Sequence, residues 1–63
     1  MSERVVILGS GESGTGAAIL AKAKGYEVFV SDFGSIKDKY KQELIQNQIE
    51  FEESQHTESK ILN

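Results

Sequence analysis

Apolar residues fall in three short runs, and the stretches between them have a different period. Val5-Val6-Ile7-Leu8 is continuous, mostly β-branched and closed by Gly9. Such a run predicts a strand over 4–8 that is apolar on both faces, as in a parallel sheet. Val28, Phe29 and Val30 centre a second strand over 27–31. Ile49 and Phe51 alternate with Glu50 and Glu52, which predicts a third strand of edge type. Between the first two runs, residues 13–24 predict a helix. Its early part is small (Gly14 to Ala18), Ile19, Leu20 and Ala23 add bulk, and Lys22 and Lys24 stand in the last turn, where cations suit the helix dipole. Gly25 is placed to end it at the C′ position. Ile36, Tyr40 and Leu44 recur every fourth residue, with Ile45 beside them, and predict a second helix over 36–46. Ser35 is placed to cap it, with Asp38 completing a partial capping box. Asn47 is placed to end it, and Lys37, Lys39 and Lys41 form its solvated side. Thr57 to Leu62 reads as the start of a short helix.

The order β-α-β-α-β implies a Rossmann-like α/β fold, with parallel strands joined by right-handed crossovers. In a complete sheet of this kind the strand order is 3-2-1-4, with strand one inside. Nothing in residues 1–63 supplies strand four, so the outer edge of strand one carries unpaired backbone groups. The expectation is that 1–63 is part of a single domain of a longer, multidomain chain, or else that this edge pairs with another chain.

The junction of the first strand and helix carries the chemistry. Gly9-Ser10-Gly11-Glu12-Ser13-Gly14 has the G-x-G-x-x-G spacing, and Asp32 follows at the end of the second strand, about 20 residues on, as nucleotide-binding βαβ units require. Gly9 suits the tight turn, Gly11 lets backbone approach a pyrophosphate, and Gly14 lets the helix pack close to the sheet. The helix start offers free N–H groups and a positive dipole end. Asp32 is placed to accept hydrogen bonds from a sugar or base. Ser13 can bond a phosphate oxygen, a base edge or a backbone N–H, whereas Glu12 would repel a pyrophosphate unless it faces solvent. Thr15 stands where a Walker A loop has its lysine, so an ATP γ-phosphate grip of that type is absent.

Composition narrows the picture further. The chain has 63 residues, 7 basic against 10 acidic, no Cys, one His and one Met. Domains this small bury only about 60% of their unfolded surface, and neither disulfide nor metal staple is available. A net charge of −3 without a basic stripe argues against nucleic-acid partners. No apolar run is long enough to span a membrane and no signal peptide precedes the first strand, so a soluble cytoplasmic protein is expected. His56 has no companion ligand or nucleophile. No metal-ligand spacing and no catalytic pair appear; this segment binds and does not perform bond chemistry.

Val5 to Gly14, followed by Gly25-Tyr26-Glu27-Val28-Phe29-Val30-Ser31-Asp32, resembles the amino-terminal stretch of the Mur ligases, nearest to their D-glutamate-adding branch. Ser13 fits that branch's G-x-G-x-[Ser/Thr]-G form, and His56 to Asn63 is similar to the stretch that leads to the domain's next strand. The resemblance implies a domain that holds the UDP moiety of UDP-N-acetylmuramoyl-L-alanine, with Gly9 to Gly14 lining uridine and diphosphate and Asp32 bonding uracil. It further implies ATP and Mg²⁺ in a separate central domain, and amide-bond formation in peptidoglycan precursor synthesis. The catalytic residues would lie outside this chain. Two positions depart from the pattern: Phe33-Gly34 stands where many relatives carry a polar pair, and Glu12 replaces an apolar residue. From the residues themselves two alternatives stay open: the start of an NAD- or FAD-dependent oxidoreductase, with Asp32 on the adenosine ribose, or a small nucleotide-sensing module.

Overall fold

The computed structural model describes residues 3–54. The expected helix over 57–62, His56 and the tail to Asn63 lie outside the described residues. The elements are β1 (Arg4–Leu8), α1 (Glu12–Ala23), β2 (Glu27–Asp32), α2 (Asp38–Gln46) and β3 (Glu50–Glu53). The strands form a parallel sheet in the order β1-β2-β3, so all three carboxyl ends lie along one rim. Among the described residues β1 pairs only with β2.

The register explains the core. Val5 stands beside Val28, Ile7 beside Val30, and Val30 in turn beside Phe51. These side chains share one face, which packs on Ala18 of α1, Leu44 of α2 and the two flanking residues Ile36 and Ile49. β2 is central and its run from Val28 to Ser31 is buried, whereas β1 is only half-buried between exposed ends. The continuous apolar pattern was common to both strands; their neighbours in the sheet make the difference. α1 reaches the sheet through small side chains, with Thr15 and Ala18 buried. Gly14 is required there: a Cβ on it would lie 2.0 Å from the Gly9 carbonyl oxygen. At Gly16 a Cβ would meet nothing within 4 Å, so close packing explains Gly14 but not Gly16.

Both helices end in a Schellman motif. For α1, Gly25 N–H donates to the Lys22 carbonyl and Tyr26 N–H to that of Ala21, with Gly25 at φ +94°. For α2, Gln48 N–H donates to the Ile45 carbonyl and Ile49 N–H to that of Leu44, with Gln48 at φ +58°. Asn47 is the C-cap and its amide also donates to the Glu43 carbonyl at 2.8 Å.

Three local expectations are corrected. The N-cap of α2 is Lys37, without a side-chain cap bond, and Ser35 is exposed outside the helix. Glu53 of β3 takes over near that entry: its Oε1 accepts the Ile36 N–H at 2.9 Å. Ile45 is 58% exposed, because one residue beyond Leu44 turns about 100° off the buried stripe. Lys41 is not part of a wholly solvated face, since its Nζ lies 2.5 Å from Glu53 Oε2.

Candidate functional site

The glycine loop leaves β1 at Gly9, whose φ of +97° makes the turn. Gly9 N–H donates to the Ser31 carbonyl at 2.8 Å, which carries the β1–β2 pairing one residue beyond the strand. Ser10 then turns inward. It is buried, its hydroxyl lies 2.9 Å from that of buried Thr15, and its N–H donates to Asp32 Oδ2 at 2.7 Å. Thr15, in the place of a Walker lysine, is thus an internal partner of the loop. Gly11 is the N-cap of α1 and provides no side-chain cap. Helix geometry leaves the N–H groups of Glu12, Ser13 and Gly14 without intrahelical acceptors; the first backbone bond of the turn is Thr15 N–H to Gly11 carbonyl. Gly11, Glu12 and Ser13 are exposed.

Asp32 is half-buried at the tip of β2, and both its oxygens are engaged. Oδ2 holds Ser10, and Oδ1 accepts the Gly34 N–H at 2.9 Å in an Asx turn. A carboxylate has about four lone-pair positions, so these two bonds leave capacity for a further donor. Next along the rim, the Gly34 carbonyl accepts the Ser54 N–H at 2.9 Å. The turns after all three strands are therefore tied together through Asp32 and Gly34. All predicted site residues, Gly9 to Gly14 and Asp32, meet on this rim. In open α/β sheets that is the end at which ligands bind.

Two concavities mark the surface. One of about 450 Å³, lined by Arg4, Lys22, Glu27 and Gln48 among others, is at the amino ends of the strands. Another of about 460 Å³ lies between α1 and α2 and adjoins the loop, being lined by Glu12, Thr15, Gly16, Lys39 and Tyr40 among others. The side of α1 that carries Glu12 faces the second groove, which keeps this carboxylate on the flank of the loop. Among the described residues no group of three or more His, Cys, Asp or Glu side chains could hold a metal ion, and no helix is long and apolar enough to cross a membrane.

Two polar clusters escaped the sequence reading. Ser31, next to last in the second strand after its apolar run, donates to Glu52 Oε2 at 2.7 Å, and both side chains are buried. A serine in such a strand is the one available signal that a polar partner stands opposite. Glu53 joins Ile36 and Lys41 at the entry of α2. The Lys41 hydrogen bond, followed by that of the Ile36 N–H, holds the Glu53 carboxyl below its ordinary value, and the same Glu53 bond raises Lys41.

A glycine turn from the first parallel strand into a helix, with an acid at the tip of the second, defines a Rossmann-like α/β unit. The description "MurD N-terminal domain" matches residues 4–63. The chain belongs to this family. It is 60% identical to UDP-N-acetylmuramoylalanine–D-glutamate ligase of Christiangramia forsetii over 63 residues, which is 100% of this chain and 14% of that protein. It is 62% identical over 61 residues to the enzyme of the same name from Bacteroides thetaiotaomicron (97% and 14%). A more distant relative of that name, from Pelodictyon phaeoclathratiforme, is 44% identical over 55 residues (87% and 12%). The chain thus spans about a seventh of the length of the relatives that it matches. No solved structure matches it.

Proposed function

We propose that this chain is the part of a D-glutamate-adding ligase that holds the UDP moiety of its UDP-N-acetylmuramoyl-L-alanine substrate. The observation that carries the reading is the rim itself: an uncapped helix start beside an acid fixed to the same loop. The N–H groups of Glu12, Ser13 and Gly14, with the dipole of α1 behind them, receive the diphosphate. Gly9 and Gly11 leave room for it, and the Ser13 hydroxyl adds a donor. Ser10 positions the loop, because its N–H is held by Asp32 and its hydroxyl is turned to Thr15. Asp32 holds the loop and offers its remaining lone pairs to the uracil N–H. The relatives named as ligases favour this over the oxidoreductase and sensing-module readings.

The whole enzyme would form an amide bond in peptidoglycan synthesis, in the cytoplasm, with ATP and Mg²⁺. The residues present here do not fit the ATP triphosphate, since Thr15 replaces the loop lysine and its hydroxyl is engaged with Ser10. ATP and Mg²⁺ therefore belong to another part of the protein, as do the catalytic residues. The outer edge of β1 is where a further strand completes the sheet.

Titration of the full-length protein with UDP and, separately, NAD tests the reading. UDP is expected to shift the amides of 9–16 and 32, and NAD to leave them in place; the reverse pattern overturns the proposal. Asp32→Ala removes two charge-assisted hydrogen bonds, each worth about 1.5–3 kcal/mol. We expect it to weaken UDP binding by at least about tenfold, equivalent to about 1.4 kcal/mol, while circular dichroism still shows a folded α/β domain.

A further inference from the structure

Phe33 follows Asp32 directly and is 74% exposed, more than any other large apolar side chain among the described residues. Its backbone is nevertheless held on both sides. Asp32 Oδ1 accepts the N–H of Gly34, the next residue, and the Gly34 carbonyl accepts Ser54 N–H. The other oxygen of the same carboxylate holds Ser10. One side chain therefore fixes the glycine loop and the turn that carries the ring relative to each other. A large, mostly exposed aromatic ring one residue from the acid that holds the glycine loop has the chemistry to receive a flat π-surface.

We propose that the Phe33 ring is the platform on which the base of the bound nucleotide lies, with Asp32 addressing the base edge. The inference rests on the UDP reading above and adds to it the residue that contacts the base face. Stacking recognises the face of the base and hydrogen bonding its edge, so the two contributions separate experimentally. 5,6-Dihydro-UDP keeps the hydrogen-bonding edge of uracil and the diphosphate but loses the flat aromatic ring. The test is calorimetric titration of the full-length protein with UDP and with 5,6-dihydro-UDP, repeated for Phe33→Leu and Phe33→Trp.

The unsubstituted protein is expected to prefer UDP by about fivefold or more, the lower end of base–aromatic stacking. Phe33→Leu is expected to abolish that preference, and Phe33→Trp to keep it. If Phe33→Leu binds both ligands as the unsubstituted protein does, or the preference survives the change, the platform is wrong and the UDP reading stands. If Phe33→Leu weakens both ligands equally and lowers Tm, the ring supports the fold and the platform is again wrong. If the unsubstituted protein binds neither ligand, the UDP reading falls and the platform with it.

Discussion

The crossovers β1–α1–β2 and β2–α2–β3 leave their helices through the same motif, with a left-handed residue at C′ in each: Gly25 in the first, Gln48 in the second. Their entries differ. α1 starts from a glycine that provides no cap, and its first N–H groups face the rim. α2 also lacks a side-chain cap, but the Glu53 carboxylate from the neighbouring strand binds Ile36 N–H just ahead of it and pairs with Lys41. An anion already sits beside the second entry, and it belongs to the protein. At the first entry the Glu12 carboxylate stands on the flank of the turn, and Asp32 is spent on positioning the loop. Two copies of one supersecondary unit thus differ at their entries according to where a single carboxylate falls.

The comparison breaks most severely at Gly14. Gly14→Ala forces a methyl against the Gly9 carbonyl and is expected to cost about 3 kcal/mol or more, beyond the usual range for overpacking because backbone must move. Gly16→Ala, two residues on in the same helix, meets nothing and is expected to gain up to about 1 kcal/mol from helix propensity. Urea unfolding of the two variants checks both signs; equal effects would mean that α1 does not approach the sheet through Gly14.

The shared exits offer a smaller test. Gln48 occupies a left-handed conformation that costs a side chain about 1–2 kcal/mol. Gln48→Gly is expected to stabilise by about 1 kcal/mol once the added freedom of the unfolded chain is set against that strain. Gly25→Gln is expected to destabilise by about the same amount, and opposite shifts in the urea midpoint would verify the pair.

The smallest effect concerns the entry that Glu53 occupies. Its folded pKa lies below the ordinary 4.5, so its contribution is complete above that value and is lost as pH falls through the lowered folded one. Lys41 is raised above 10.5, so its contribution is complete below that value and is lost as pH rises through the raised folded one. The pair is part-exposed and the effect correspondingly modest. Stability measured against pH should fall less on the acid side in Glu53→Gln than in the unsubstituted protein; an unchanged acid limb would remove Glu53 from the account of α2.

Element order, sheet type and the meeting of Gly9 to Gly14 with Asp32 were legible because each depends on local period or on a spacing tied to one βαβ unit. What Asp32 does was only half legible. Its bond to Ser10 spans 22 positions, and nothing near either residue announces it. The same holds for Glu53, whose bond to Ile36 spans 17 and displaces the locally plausible cap at Ser35. Ile45 misled for a different reason: an apolar residue beside a buried stripe need not belong to it. By resemblance Ser10 belongs with the residues lining uridine and diphosphate, and only the fold shows its hydroxyl against Thr15.

The bonds that join Ser10 to Asp32, Asp32 to Gly34 and Gly34 to Ser54 have a thermodynamic consequence. They are formed when the sheet folds, so the entropy of ordering the rim is already lost before any ligand arrives. A nucleotide that settles there need not immobilise the loops that receive it, and more of its contact energy is retained as affinity.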